Sequence, residues 1–272
     1  MSWKRVKSVI LVTLLAVNLL LACCSLPLLI HQRREESRLL EELKDLYAQS
    51  GITLTAQSLP REKTLTTLDL TFGEVAASAA AGALLGEGTV RLEDAGPYTL
   101  SYVGPAGSCR IGQDCSFFAG LTAAEPAGDR PRDAASRLTA MGCAVAGTEE
   151  TPSGDLLITQ SVLGCPVFGQ GLTIRYEDGA MTELEGLLVL WDDLPIRVSD
   201  TECCSAADAL AAFLSHRSEL GLVCGTVGTP EQGWLVGDAA SVSTLRLIPV
   251  WRLETDTGTV LVNGIDRTLT LE

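Results

Sequence analysis

The sequence predicts an α+β protein in which an N-terminal transmembrane helix precedes an extracytoplasmic domain of repeated helix-plus-antiparallel-sheet units. Three observations predict it. Ser8 to Ile30 is an apolar run of 23 residues without a charge. Residues 1–34 hold five basic side chains and no acid, whereas the remainder holds 15 basic against 34 acidic residues. A helical stripe followed by four strand-like segments begins near Asp129 and again at Ser205.

At about 1.5 Å per residue the first run is long enough to cross a hydrocarbon core of about 30 Å. Lys4, Arg5 and Lys7 before it place the N-terminus in the cytoplasm and the acidic bulk outside. Leu20-Leu21-Ala22-Cys23 also resembles a lipobox, in which Cys23 would be lipidated after cleavage. Both alternatives put the remaining chain outside a cell membrane. Residues 1–7 are then a cytoplasmic tail, 8–30 the anchor and 31–65 a stalk helix with its linker. Leu39, Leu40, Leu43, Leu46 and Tyr47 form an amphipathic stripe closed by Gly51. That helix packs on its own domain or faces a partner; the stripe suits either.

Segment 66–128 is an α+β unit, with a strand at TLDLTF, an Ala-rich helix from Glu74 to Leu85, and alternating runs that read as an antiparallel meander. Unit 129–200 opens with PRDAASRLTAMG, Pro131 in its first turn and Gly142 after its end, and continues in strands at 144–149, 155–163, 171–177 and 180–191. Unit 201–272 repeats the order. Ser205 and Asp208 form a capping-box signature, and strands follow at about 222–227, 233–238, 242–254 and 258–270. A helix laid on one face of such a sheet leaves the other face and the edges for a partner or a dimer.

Composition narrows the chemistry. A net charge of −14, with the only basic clusters flanking the apolar run, argues against nucleic acid as a partner. Two histidines, His31 and His216, leave little for a His-based zinc site or a Ser-His-Asp triad, and no phosphate-binding, calcium-binding or nucleophile-elbow motif occurs. No catalytic residue, cofactor or metal ligand is assigned. Asp192/Asp193 and Glu177/Asp178 read as solvated strand ends, since neighbours on a strand point to opposite faces. Seven cysteines follow residue 100, an odd number, and Cys109 with Cys115 can join two strands as a disulfide, or all can be buried thiols. Metal binding by Cys203, Cys204 and Cys224 lacks the usual spacing. Asn18, the one side-chain amide in the apolar run, can hydrogen-bond a neighbouring transmembrane helix. Trp191, Trp234 and Trp251 fall in strands as packing residues.

The opening Met1-Ser2-Trp3-Lys4-Arg5-Val6-Lys7 with Asn18 beyond it, and the closing Pro249-Val250-Trp251-Arg252-Leu253-Glu254-Thr255 with Thr259-Val260-Leu261-Val262-Asn263, resemble the two ends of the YycI proteins. The units between are similar to those of YycI and its paralogue YycH, and to PepSY-type domains. The resemblance implies a non-enzymatic, single-pass regulator. With a YycH-like paralogue, it would control a two-component sensor histidine kinase of cell-wall homeostasis through extracytoplasmic and transmembrane contacts. The alternative is a PepSY-like binding or inhibitory module, as a lipoprotein, and an envelope hydrolase stands behind both.

Overall fold

The computed structural model describes residues 7, 14, 17, 18, 35–93, 96–122, 126–238 and 241–272. Of these, 43% lie in strands and 23% in helices, so the fold is a mostly β mixed sheet and the α+β expectation is corrected. The helices are α1 (residues 35–49), α2 (Glu74–Leu85), α3 (Arg130–Ala140) and α4 (Ala206–His216). The strands are β1 (Thr53–Leu54), β2 (Thr66–Thr71), β3 (Val90–Leu92), β4 (Thr99–Gly104), β5 (Gly107–Gly112), β6 (Ser116–Leu121), β7 (Ala144–Glu150), β8 (Leu156–Val162) and β9 (Cys165–Phe168). They continue with β10 (Leu172–Glu177), β11 (Ala180–Leu187), β12 (Ile196–Glu202), β13 (Thr226–Val227), β14 (Glu231–Gly237), β15 (Thr244–Thr255), β16 (Gly258–Asn263) and β17 (Leu269–Leu271).

The anchor and the single-pass localisation are corrected as well. Among the described residues no helix is long and apolar enough to cross a membrane. The α1 segment is charged on one side, with Glu35, Glu36, Arg38, Glu41, Glu42, Lys44 and Asp45. Most of Ser8–Ile30, including Cys23, lies outside the described residues. Asn18 is described and exposed, and its Nδ2 donates 2.9 Å to the carbonyl of Leu14, one turn back.

The first half of the sheet runs β3-β4-β5-β6-β11-β10-β8-β7, every pair antiparallel. Two helix-led meanders therefore meet through their last strands, β6 against β11. The strict alternation of buried and half-buried residues along β8 gives this sheet one wholly buried face. Helices α2 and α3 cover it. Small Ala77, Ala80 and Ala81 let α2 approach closely, and they share one core with Leu138, Ile111, Phe117, Leu172 and Ile174.

The second half centres on β15, which is 12 residues long. One edge of β15 pairs with β14 and, at its end, β13; the other takes β2 first and β16 beyond it. Strand β12 lies outside β2, and β17 outside β16. Two parallel pairings, β1 with β13 and β14 with β9, make the sheet mixed. Strand β9 also pairs antiparallel with β8, so all 17 strands form one hydrogen-bonded ribbon.

Helices α1 and α4 cover this half. Leu40, Leu43 and Tyr47 pack against Leu210, Phe213, Trp251 and Val260, and Tyr47 stacks on Phe213 with ring centroids 6.4 Å apart. The Tyr47 hydroxyl donates 2.8 Å to the Leu210 carbonyl, and burial makes it hold its proton to well above the ordinary phenol range. Leu40, Leu43 and Tyr47 of the α1 stripe are thus spent on its own domain, while Leu39 and Leu46 stay exposed.

Candidate functional site

Each described residue singled out from the sequence has a definite place. Asp192 is a helix cap: its carboxylate accepts from the backbone N–H groups of Val75, at 2.9 Å, and Ala76, at 2.7 Å. Gly73 precedes α2 and supplies no cap of its own, and a Cβ there would lie 2.6 Å from the Asp192 nitrogen. A distant strand end therefore satisfies the orphan donors of α2 and sets a negative charge at its positive end. Asp192→Ala is expected to lower stability by about 1 kcal/mol in urea titrations, with Asp192→Asn retaining most of it. Asp178 has φ 51° and Gly179 φ 81°, as a tight two-residue turn between β10 and β11 requires.

Trp234 and Trp251 are buried, and their indole N–H groups donate, each at 2.9 Å, to the carbonyls of Val162 and Cys204. Trp191 is half-buried and bridges to Phe72. The three do not gather on a free face. An open cleft of about 410 Å³ lies between α2 and β3–β4, with an ion pair between Glu74 and Arg91, 3.4 Å apart, in its wall. Exposed His216 faces Glu219 at 2.9 Å.

All seven described cysteines are free thiols, and Cys109 and Cys115 are both buried, as in the second of the two alternatives. Cys109 sits on β5 opposite Ala119 of β6, whereas Cys115 lies in the intervening turn with φ 65°. Burial pushes the thiols of Cys109 and Cys143 up to about 12 and that of Cys115 up to about 11. Cys203 and Cys204 flank the start of α4, while Cys224 lies beyond its end, beside Arg217 and Asp256. Among the described residues no three His, Cys, Asp or Glu side chains converge as metal ligands.

The surface best suited to a ligand is one the sequence did not reveal. Strand β12 pairs with β2 on one edge through Ile196↔Asp69 and Arg197↔Leu68, and rejoins it at Glu202↔Thr66 after an irregularity. No described strand pairs with its other edge. Ile196 and Val198, 59% and 44% exposed, alternate along β12 and present one apolar face, and Leu194, two residues before the strand, is 90% exposed. Asp193, Asp200 and Glu202 surround this face, all exposed, with Arg197 as the cation. The signal in the sequence was Pro195, a residue tolerated beside edge strands, followed by alternating Ile196 and Val198. Asp192-Asp193-Leu194-Pro195 before it reads as a turn and conceals it.

No protein-family model and no curated protein matches the chain. It is similar to the crystal structure of an uncharacterised protein from Eubacterium rectale ATCC 33656, at 9% identity and a TM-score of 0.47, over 81% of this chain and 90% of that one.

Proposed function

We propose that the protein is a non-enzymatic regulator that works by protein contact, and that β12 is the contact. The observation that carries this reading is the unfilled edge of β12 with its exposed Leu194, Ile196 and Val198. An extended segment of a partner gains ladder hydrogen bonds from such an edge and specificity from alternate side chains. The acidic surround suits a segment that is apolar on one side and basic on the other.

The partner class follows from the resemblance of Pro249–Thr255 and Thr259–Asn263 to the YycI proteins: a two-component sensor histidine kinase. The second reading, a PepSY-like module that restrains another protein, draws on the same edge. Its favouring observation is that β12 belongs to the folded body carrying all the strands.

The test is to replace Ile196 by Arg and Val198 by Lys together in the full chain, and to titrate each protein against the sensor domain of the candidate kinase. The expected result is binding at least about tenfold weaker, or about 1.4 kcal/mol, with an unchanged melting temperature. Equal affinities would remove β12 from the contact.

A further inference from the structure

We propose that the outer edge of β3 is a second docking edge, equivalent to that of β12, and that the two together bind one dimeric protein which offers the same extended segment twice. The proposal rests on the reading of β12 as a contact and adds the form of the partner to it. Val90-Arg91-Leu92-Glu93-Asp94 and Ile196-Arg197-Val198-Ser199-Asp200 follow one pattern, an arginine between two apolar residues and an aspartate two positions on. Each pattern starts at the first residue of its strand.

The two strands are also held alike. Among the described residues β3 pairs with β4 alone and β12 with β2 alone, both antiparallel. Directly paired residues share a sheet face. Arg91 stands opposite buried Tyr102 and Arg197 opposite buried Leu68, so both arginines lie on the face that carries the core. Val90 stands opposite exposed Val103 and Ile196 opposite Asp69, so both apolar pairs lie on the other face. Val90 and Leu92 are 60% and 46% exposed, as Ile196 and Val198 nearly are. Two free edges with one order of side chains accept one kind of segment.

Room for that segment exists beside β3. The cleft of about 410 Å³ runs between the strand and α2, where Ser78 and Gly82 keep the helix surface low. A second cleft, of about 390 Å³, lies against Leu92, Glu93 and Thr99. Arg91 lines both, so together they border the strand along its length. Glu74 and Glu87 stand in the wall of the first and Glu93 in that of the second. A segment that alternates apolar residues, beside Val90 and Leu92, with basic ones toward the glutamates fits this edge, and the acids around β12 suit the same segment.

The two edges meet at the first turn of α2. Glu74 reaches β3 through Arg91, 3.4 Å away, and the next residues, Val75 and Ala76, donate their backbone N–H groups to Asp192. Asp192 precedes Ile196 by four residues, at most about 14 Å of chain. Val75, at the junction, is 74% exposed. One partner can therefore cover both edges, and a symmetric dimer supplies the same segment to each.

The probe is a short fluorescent peptide of alternating lysine and valine, used singly and as two copies joined by a Gly/Ser linker of about 20 residues, which spans about 25 Å on average. Fluorescence anisotropy is measured on the full chain, on Val90→Arg with Leu92→Lys, and on Ile196→Arg with Val198→Lys. The linked peptide is expected to bind the parent protein at least about tenfold tighter than the single one. Either pair of substitutions is expected to abolish that gain, with single-peptide affinity kept within about threefold and the melting temperature unchanged. Glutamate in place of lysine is expected to weaken the single peptide at least about tenfold. A gain that survives Val90→Arg with Leu92→Lys would remove β3 from the surface, and equal affinities of single and linked peptides would overturn the dimeric partner. Failure of the β12 reading looks different: the single peptide then binds the Ile196/Val198 variant as it binds the parent, and no longer binds the Val90/Leu92 variant.

Discussion

Truncating Trp251 to alanine is expected to cost about 3–5 kcal/mol of stability, measured by urea denaturation. The ring is fully buried among residues of α1, α4 and the second half of the sheet, so its removal opens a void that these elements cannot close without parting from β15. The indole N–H also holds the Cys204 carbonyl at 2.9 Å. Trp251→Phe separates the two contributions, because it keeps most of the apolar volume and abandons the carbonyl. Its expected cost is about 1–3 kcal/mol. A loss below about 1 kcal/mol for alanine would mean that the two helices do not rest on this side chain.

Replacing Gln160 by leucine is expected to cost about 3 kcal/mol, a fall of about 6–12 °C in melting temperature. Gln160 occupies the inward row of β8, where Leu156, Ile158 and Val162 are its neighbours, and it is 3% exposed. Its Nε2 donates to the Leu187 carbonyl and its Oε1 accepts from Val189 N–H at 3.0 Å. One amide thus satisfies both polar groups where the chain leaves β11, and leucine would strand both in an apolar core. Gln160→Glu is expected to be no better, since a carboxylate can accept from Val189 but cannot donate to Leu187. Scanning calorimetry of the two variants beside the parent protein checks this, and a melting temperature of Gln160→Leu equal to that of the parent would remove the role.

The elements that a local pattern specifies were legible. Glu74–Leu85 is bounded by the glycines on either side of it, and the Ser205/Asp208 capping box is present in α4. Of the amphipathic stripe on α1, Leu40, Leu43 and Tyr47 are buried and Leu39 and Leu46 are exposed, and the stripe did not show what buries the three. Pairing at a distance has no local signature. Nothing in TLDLTF tells that β2 lies between β15 and β12, nor in CPVF that β9 joins two halves of a sheet. Periodicity states which way a side chain points, not which strand lies beside it. The α+β reading failed at these joints, and the exposed row on β12 was hidden for the same reason: a strand with one partner and charges on both faces does not alternate cleanly.

The return of β2 to the C-terminal sheet bears on the order in which the molecule is made. Residues 74–187 supply every strand of the first half, together with β9 and the two covering helices, so that half can close while the rest is still being synthesised. The second half must wait. Asp69 finds Arg246 only across 177 positions of chain, and Tyr47 finds Leu210 across 163. Until α4 and β15 leave the ribosome, Leu40, Leu43 and Tyr47 of α1 have no home, and a segment made before the first half is buried after it.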